Sequence, residues 1–172
     1  TENMSTFAPE CHPQRIMMDE IDKITTSKRQ KKVVDMGCGM AGISAHYKED
    51  ARFDFINYDH VACNETVTVC DISNMPLEDG SVDVCILSLA MWGSNCAEYV
   101  REAYRVLESG GRLFISEPTK RWSKIDENGY INNGDDFEYG PKEIVDIMEE
   151  MEFYYGKTTY KMILKNDLRS NE

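Results

Sequence analysis

Three aspartates of this 172-residue chain lie at or beside the ends of short apolar runs that are typical of buried strands. Asp35 precedes the glycine pattern G-x-G-x-x-G over residues 37–42, and Asp59 and Asp71 close two later runs. A glycine-rich turn lets the backbone approach a ligand, and the N–H groups of the following helix are free to bind it. Carboxylates at neighbouring strand ends hold hydroxyl and amino groups by charge-assisted hydrogen bonds. This pattern predicts a crevice that binds a nucleoside-like ligand.

Two adenosine ligands fit such a crevice, a nicotinamide dinucleotide and S-adenosylmethionine. Asp59 lies 17 residues after the last glycine, a spacing suited to holding the ribose hydroxyls, and Asp71 then suits the adenine amino group. A dinucleotide would place its pyrophosphate on the glycine turn, where Asp35 would repel it. S-adenosylmethionine carries a sulfonium and an ammonium group near that point. The acidic turn therefore favours S-adenosylmethionine as the cofactor.

Apolar periodicity predicts the elements that hold these residues in place. Short apolar or alternating runs predict strands over 32–36, 53–59, 66–71, 82–89 and 112–116. Apolar residues at three-to-four spacing predict helices over 12–25, 41–48, 96–107 and 141–151, the third of them stopped by Gly110-Gly111. The tail over 153–164 predicts an antiparallel pair of strands. Because strands and helices alternate, the predicted fold class is α/β, a three-layer sandwich with a mostly parallel, Rossmann-like sheet and this C-terminal antiparallel pair.

Length and composition predict one domain with a packed core, since 172 residues and a hydrophobic fraction of 41% are ordinary values for a single globular unit. Residues 1–30 supply an N-terminal helix and a basic loop. Residues 31–118 form the cofactor-binding core, and residues 119–172 supply a loop, the last helix and the terminal strands.

The charge balance separates this chain from proteins that hold nucleic acid by their own electrostatic field. The 19 basic and 31 acidic residues give a net charge of −12. Such a charge repels a phosphate backbone, so an RNA substrate would have to be presented with a basic protein partner or within a larger particle. The basic loop over residues 27–32 is interpreted either as a solvated turn or as a contact for phosphate.

Other composition features indicate an intracellular protein without a metal. No apolar run is long enough for a membrane span, and the first residues lack a signal-peptide pattern, so no membrane association is expected. The six cysteines form no C-x-x-C pair and are expected to be reduced, because several lie inside apolar segments. No second Cys-His pair completes a zinc site with Cys11-His12, so no metal is predicted.

Three stretches of the sequence resemble known methyltransferases. The segment VVDMGCG over residues 33–39 resembles the first motif of class I S-adenosylmethionine-dependent methyltransferases. Residues 67–95 (VTVCDISNMPLEDGSVDVCILSLAMWGSN) and 102–111 (EAYRVLESGG) resemble the ribosomal-RNA-processing methyltransferases called nucleomethylin. That family is associated with N1-methylation of an adenine in large-subunit ribosomal RNA. The resemblance implies this activity and a location in the nucleus or nucleolus.

The resemblance also implies which residues bind the cofactor. Gly37 would line the methionine part of the cofactor, Asp59 would hold the ribose, and Asp71 with Ile72 would contact the adenine. Ser88 occupies a place at the end of a strand where the family often has cysteine, beside the sulfonium. The full expected set is Asp35, Gly37, Cys38, Gly39, Asp59, Asp71, Ile72 and Ser88.

Methyl transfer to nitrogen is a direct displacement that needs alignment and exclusion of water, and no covalent nucleophile. An adenine acceptor is usually unstacked and held against an aromatic face, which singles out Trp92 and Trp122 near strand ends. Glu117 either orients the acceptor or caps a loop. The cations Lys120, Arg121 and Lys124 surround Trp122, a composition that can bind phosphate and stack a base.

Three hypotheses about function remain open on the sequence. The first is a methyltransferase that acts on RNA, at N1 of an adenine in ribosomal RNA. The second is a methyltransferase-like subunit with a structural or assembly role in a ribonucleoprotein or chromatin complex. The third is a small-molecule methyltransferase in which the loop 118–140 forms a lid.

Overall fold

Helices and strands alternate from α1 to β2 and again from β4 to β5, whereas β2, β3 and β4 follow one another with no helix between them. The computed structural model describes residues 12–24, 29–91 and 95–117 and the backbone of residues 159–162. The elements are α1 (Pro13–Ile21), β1 (Lys31–Met36), α2 (Gly42–His46), β2 (Phe53–Asp59), β3 (Thr68–Val69), β4 (Val82–Ser88), α3 (Cys96–Val106), β5 (Leu107–Ser116) and β6 (Thr159–Met162).

The described strands form one sheet in the order β3-β2-β1-β4-β5-β6. Each neighbouring pair of strands runs parallel. The chain therefore proceeds outward from β1 to β3 and then crosses to β4 on the other side of β1. In open α/β sheets this reversal opens a crevice at the carboxyl ends of the two central strands, which is where ligands bind.

Side chains on the two faces of the sheet pack against different helices. Alternate residues such as Val33 and Ile86 pack with Ile16 and Met17 of α1. Residues on the opposite face pack in a second cluster with Val100 and the rest of the buried side of α3. The central strand β4 is buried along nearly its whole length, because helices cover both of its faces. The predicted three-layer sandwich with a mostly parallel sheet is confirmed.

The predicted antiparallel C-terminal pair is not seen among the described residues. Strand β6 pairs with β5 in parallel, with Leu113 opposite Tyr160 and Ile115 opposite Met162. A parallel pair needs a crossover of a dozen or more residues, and about 40 residues separate these two strands. The alternating pattern of the tail indicates a strand, but it carries no information on direction.

Gly110 and Gly111 lie within strand β5 and do not end helix α3. Helix α3 ends at Val106, and β5 begins at the next residue. The pairing of β4 with β5 then shifts register, so that Val82 is opposite Leu107 but Val84 is opposite Arg112. A Cβ at Gly111 would lie 2.9 Å from the carbonyl oxygen of Glu108, so this bulge leaves no room for a side chain there.

Several sequence predictions fall outside the described residues, namely the helix over 141–151, the loop 118–140 and most of the terminal segment. Within the described part of the chain, no helix has the length and apolarity to cross a membrane. The same residues contain no group of three or more His, Cys, Asp or Glu side chains that could hold a metal ion.

Candidate functional site

A cavity of about 670 Å³ lies at the carboxyl ends of the four strands β1 to β4. Four of the eight residues predicted to bind the cofactor line it: Gly37, Asp59, Asp71 and Ile72. The other lining residues are His60, Val69, Cys70, Leu89, Ala90 and Tyr99. The parallel sheet therefore brings together strand ends that are far apart in the sequence.

The turn after β1 passes close to the end of β4. Gly37 has a φ of +79°, and its N–H and that of Cys38 donate to the Tyr58 carbonyl oxygen at 2.8 and 3.1 Å. A Cβ at position 37 would lie 2.8 Å from the Cβ of Ala90. A side chain would be strained there by its φ and by this contact, so the turn requires glycine.

Asp59 ends β2 and joins two loops at the cavity. Its carboxylate is buried, and Oδ2 accepts a hydrogen bond from the Gly39 N–H at 2.8 Å. Oδ1 accepts one from the Val61 N–H at 3.1 Å and lies 3.0 Å from Nδ1 of His60. Asp59 therefore fixes the glycine turn relative to the loop after β2, in addition to lining the cavity.

Asp35 lies in β1 just before the glycine turn and is only 2% exposed. Its Oδ1 atom has no hydrogen-bond partner among the described residues. Burial, and secondarily the charge of Asp59, raise the pKa of Asp35 to about 7. A buried carboxylate without a partner is costly, so a cation placed near it would be stabilised and an anion would be repelled. Asp35 does not itself line the cavity.

Asp71 lies on the opposite side of the cavity, in the segment that follows β3. Its Oδ1 accepts hydrogen bonds from the N–H and the hydroxyl of Ser73, at 2.9 and 2.7 Å. The side-chain hydrogen bond is the larger of the two causes that lower the pKa of Asp71. Ile72 is buried against Met75 in the core on the α3 side of the sheet. The segment thus presents an ionised carboxylate beside an apolar surface.

Cys38, Gly39 and Ser88 are also near this edge of the sheet, although they are not among the residues that line the cavity. Burial is the main cause that raises the pKa of the Cys38 thiol to about 12, so this thiol stays protonated at neutral pH. Ser88 ends β4, and its buried hydroxyl has no hydrogen-bond partner among the described residues.

The chain leaves β4 through a strained backbone. Leu89 has a φ of +56°, which is uncommon for a residue with a branched side chain, and its N–H donates to the Ser116 carbonyl oxygen at 2.9 Å. The buried Glu117 carboxylate accepts a hydrogen bond from the Met91 N–H at 2.8 Å. Glu117 therefore holds the loop that follows β4, and a role toward the acceptor stays a prediction.

The other acceptor and RNA residues predicted from the sequence lie outside the described part of the chain: Trp92, Lys120, Arg121, Trp122 and Lys124. Of the lining residues that the sequence did not single out, His60 and Cys70 could have been found as immediate neighbours of Asp59 and Asp71. Tyr99 had no such signal, because its place depends on how α3 packs on the sheet.

At the amino end of the sheet, opposite the cavity, cations of the basic loop before β1 pair with acidic side chains. The carboxylate of Asp83 in β4 is 4% exposed and accepts hydrogen bonds from Arg29 at 2.7 Å and Lys31 at 2.6 Å. It also accepts one from the Lys32 N–H at 2.9 Å. Arg29 and Lys31 further face Glu108 at 2.6 and 3.9 Å. The two side chains are therefore paired within the protein, while Arg29 stays exposed to solvent.

These interactions decide the ionisation of Asp83. Burial by itself would raise its pKa, but the hydrogen bonds from Arg29, Lys31 and the Lys32 N–H together lower it to about 2. The carboxylate is therefore ionised throughout the neutral range and is compensated by cations at the amino ends of β1 and β4.

The fold resembles that of solved methyltransferases. A protein from Methanococcus maripaludis assigned as an S-adenosyl-L-methionine-dependent methyltransferase matches with a TM-score of 0.63 and 18% identity, over 94% of this chain and 83% of that one. Phosphoethanolamine N-methyltransferase 2 of Haemonchus contortus, solved with S-adenosylhomocysteine, matches with a TM-score of 0.52 and 15% identity, over 83% of this chain and 42% of that one. Strand order and these structural matches thus define a Rossmann-like α/β fold.

Sequence similarity identifies the family. Residues 9–135 match the family described as "Hypothetical methyltransferase", and the chain belongs to this family. Ribosomal RNA-processing protein 8 of Dictyostelium discoideum is 38% identical over 112 residues, which are 65% of this chain and 28% of that protein. The 25S rRNA (adenine(645)-N(1))-methyltransferase of Saccharomyces cerevisiae is 33% identical over 146 residues, 76% of this chain and 34% of that protein. The chain thus spans about a third of the length of these relatives.

Proposed function

We propose that the cavity at the strand ends binds S-adenosylmethionine and that the chain is the cofactor-binding core of an RNA methyltransferase. The observation that carries this proposal is Asp35, a buried carboxylate with an unpartnered oxygen just before the glycine turn. This environment suits a ligand with a sulfonium and an ammonium group, and it disfavours the pyrophosphate of a dinucleotide. The charge of Asp35 therefore selects between the two adenosine ligands that the cavity could hold.

Each remaining residue of the site fits one part of this cofactor. The backbone of Gly37, Cys38 and Gly39 passes beside the methionine part, where the absence of a side chain at Gly37 keeps the turn close to Ala90. Asp59, which ends β2, holds the ribose hydroxyls. Three other residues complete the set: Asp71 and Ile72, which take the adenine, and Ser88, which ends β4 beside the sulfonium.

The proposed reaction is the methylation of N1 of an adenine in ribosomal RNA, the activity named for the yeast relative. The bound cofactor supplies an electrophilic methyl group. N1 of adenine carries a lone pair in the plane of the ring, so no side chain has to remove a proton before the carbon–nitrogen bond forms. The work of the protein is alignment, for which we propose Trp92 and Trp122 as faces for the base and Glu117 as a support for the loop after β4.

Presentation of the RNA requires a basic surface. Arg29 and Lys31 are already paired with acidic side chains, and the whole chain carries a net charge of −12. We propose that Lys120, Arg121 and Lys124 contact the RNA, and that a basic protein partner or a larger particle supplies the remaining contacts. The ribosomal RNA-processing relatives support a nuclear or nucleolar location, which a fluorescent fusion would test.

Cofactor binding is tested by thermal unfolding and calorimetry with S-adenosylhomocysteine and NAD. At 100 times its dissociation constant, a ligand stabilises the folded state by about 2.7 kcal/mol. We expect this stabilisation with S-adenosylhomocysteine and none with NAD at the same concentration. Binding of NAD with equal or higher affinity would contradict the interpretation of Asp35.

The reaction is tested by incubation of the chain with labelled S-adenosylmethionine and total RNA, followed by mass spectrometry of the nucleosides. We expect N1-methyladenosine in ribosomal RNA, and more of it when the RNA is supplied as a ribonucleoprotein particle. Cofactor binding without methyl transfer to either substrate would favour the structural subunit instead.

A further inference from the structure

A network of polar contacts centred on Arg105 lies outside the cavity. Its guanidinium donates from Nη1 to the Leu77 carbonyl oxygen at 2.8 Å and to Oδ1 of Asp79 at 2.6 Å. Nη2 donates to the Met75 carbonyl oxygen at 3.1 Å. One side chain of α3 therefore holds three residues of the loop that connects β3 with β4.

Glu102, one turn earlier on α3, completes the network. Its carboxylate, which is 7% exposed, accepts two hydrogen bonds from Arg105, at 2.7 and 2.8 Å. Its Oε1 also accepts a hydrogen bond from the Met75 N–H at 2.6 Å. The two hydrogen bonds from Arg105 hold the buried Glu102 carboxylate in one orientation. The N–H of Met75 is bound by Glu102 and its carbonyl oxygen by Arg105, so both are fixed from the same helix.

The residues held in this way continue directly into the wall of the cavity. Asn74 donates its N–H to the Asp71 carbonyl oxygen at 3.0 Å, and Ser73 holds the Asp71 carboxylate. Met75 is buried in the same apolar cluster as Ile72. The turn over residues 71–75 thus has one end in the cavity, at Asp71 and Ile72, and the other end on Glu102 and Arg105.

We propose that Glu102 and Arg105 are positioning residues for the adenine end of the cofactor site. They fix the segment 71–79 so that the Asp71 carboxylate meets the exocyclic amino group of adenine while Ile72 covers the ring. Tyr99 lies one turn before Glu102 on the same helix and also lines the cavity. Helix α3 thus sets the distance between two walls of the site. This inference rests on the proposed binding of S-adenosylmethionine.

The test measures how well the protein recognises the adenine amino group. Calorimetry gives the dissociation constants of S-adenosylhomocysteine and S-inosylhomocysteine, which differ at the position that Asp71 is proposed to contact. In the unmodified chain we expect a preference of about tenfold for the adenosyl ligand. The inosyl ligand has no exocyclic amino group, so it loses one hydrogen bond to the charged Asp71 carboxylate.

In Arg105→Ala we expect the preference to fall below about threefold and the affinity for S-adenosylhomocysteine to fall about tenfold. Arg105→Lys should have the same effects as Arg105→Ala, because an ammonium group cannot reproduce the hydrogen bonds of the planar guanidinium. Glu102→Gln should reduce the preference and the affinity less than Arg105→Ala does, because the amide oxygen can still accept a hydrogen bond from the Met75 N–H. The matched control is Arg101→Ala, an exposed arginine on the same helix, which should leave the preference unchanged.

Amide hydrogen exchange over residues 71–79 separates positioning from general stability. Faster exchange in this segment of Arg105→Ala, with unchanged exchange in β1 and β4 and a reduced preference, supports the inference. Faster exchange with an unchanged preference would show that the network is only structural and would overturn the inference. Unchanged exchange would also overturn the inference. If the unmodified chain bound neither ligand, the proposed function would fail together with this role. Binding with an unchanged preference in Arg105→Ala would overturn this role alone.

Discussion

Two aspartates in neighbouring strands show how differently the two ends of the sheet are built. Asp35 in β1 and Asp83 in β4 are 2% and 4% exposed. The carboxylate of Asp83 accepts hydrogen bonds from two cationic side chains and one backbone N–H, and its pKa is lowered to about 2. One oxygen of Asp35 has no partner among the described residues, and burial raises its pKa to about 7.

The difference separates a structural use of buried charge from a functional one. At the amino end of the sheet, Arg29 and Lys31 come from the same chain, so the compensation of Asp83 forms on folding. At the carboxyl end, no cation among the described residues offsets the cost of burying Asp35. A protein keeps such a group where a ligand completes it, which is why the carboxyl end is the candidate site.

The largest expected effect is on folding. Asp83→Asn should lower the free energy of unfolding by about 2 kcal/mol, because the charge-assisted hydrogen bonds that Arg29 and Lys31 donate to the buried carboxylate are lost. Urea unfolding at pH 7 measures the change. The control is Asp19→Asn, whose exposed carboxylate lies 3.9 Å from Arg15 and should contribute less than about 0.5 kcal/mol. A loss below about 1 kcal/mol at Asp83 would show that the two ends of the sheet are not as different as described.

The second effect is on cofactor affinity. Asp35→Asn should weaken the binding of S-adenosylhomocysteine at least tenfold, because the amide cannot compensate the ammonium group of the ligand. The same change should leave the free energy of unfolding at pH 8 unchanged or raise it, since it removes a buried charge. Calorimetry and urea unfolding of the same variant give both numbers. Loss of stability with unchanged affinity would reverse the roles assigned to Asp35 and Asp83.

A smaller effect is the pH dependence of binding. A raised pKa means that the folded chain holds the proton on Asp35 more tightly than the unfolded chain does, so the stability from this group is lost as the pH rises through about 7. Since the ionised form binds the cationic part of the ligand, affinity should increase up to about tenfold between pH 6 and pH 8. Titration calorimetry at several pH values measures this slope. A slope of the same size in Asp35→Asn would assign it to another group.

The smallest expected effect concerns RNA. Replacement of Lys120, Arg121 and Lys124 by alanine should weaken RNA binding several-fold and reduce its salt dependence, without a change in affinity for S-adenosylhomocysteine. Arg29→Ala should leave RNA binding unchanged, because Arg29 is already paired with Asp83 and Glu108. Filter binding between 0.05 and 0.2 M salt, roughly the range over which such contacts weaken, distinguishes the two variants. A stronger loss in Arg29→Ala would place the RNA at the amino end of the sheet.

The sequence by itself determined the elements and the residues at their ends. The predicted bounds of the second strand, 53–59, agree with β2, because apolar periodicity and flanking turn residues are local signals. It also indicated that Gly37, Asp59 and Asp71 belong to one site, since the ends of parallel strands meet at one edge of the sheet. The family resemblance added Ile72, and all four residues line the cavity.

Only the tertiary structure decided which groups compensate one another. The direction of β6, the bulge at Gly111 and the pairing of Arg29 with Asp83 depend on strands that are distant in sequence but adjacent in the sheet. Asp35 and Asp83 are both aspartates in apolar runs, and the glycine pattern beside Asp35 does not tell which of the two carboxylates meets a cation. Their opposite pKa shifts follow from whether a cation of another segment reaches the buried carboxylate, and packing alone settles that.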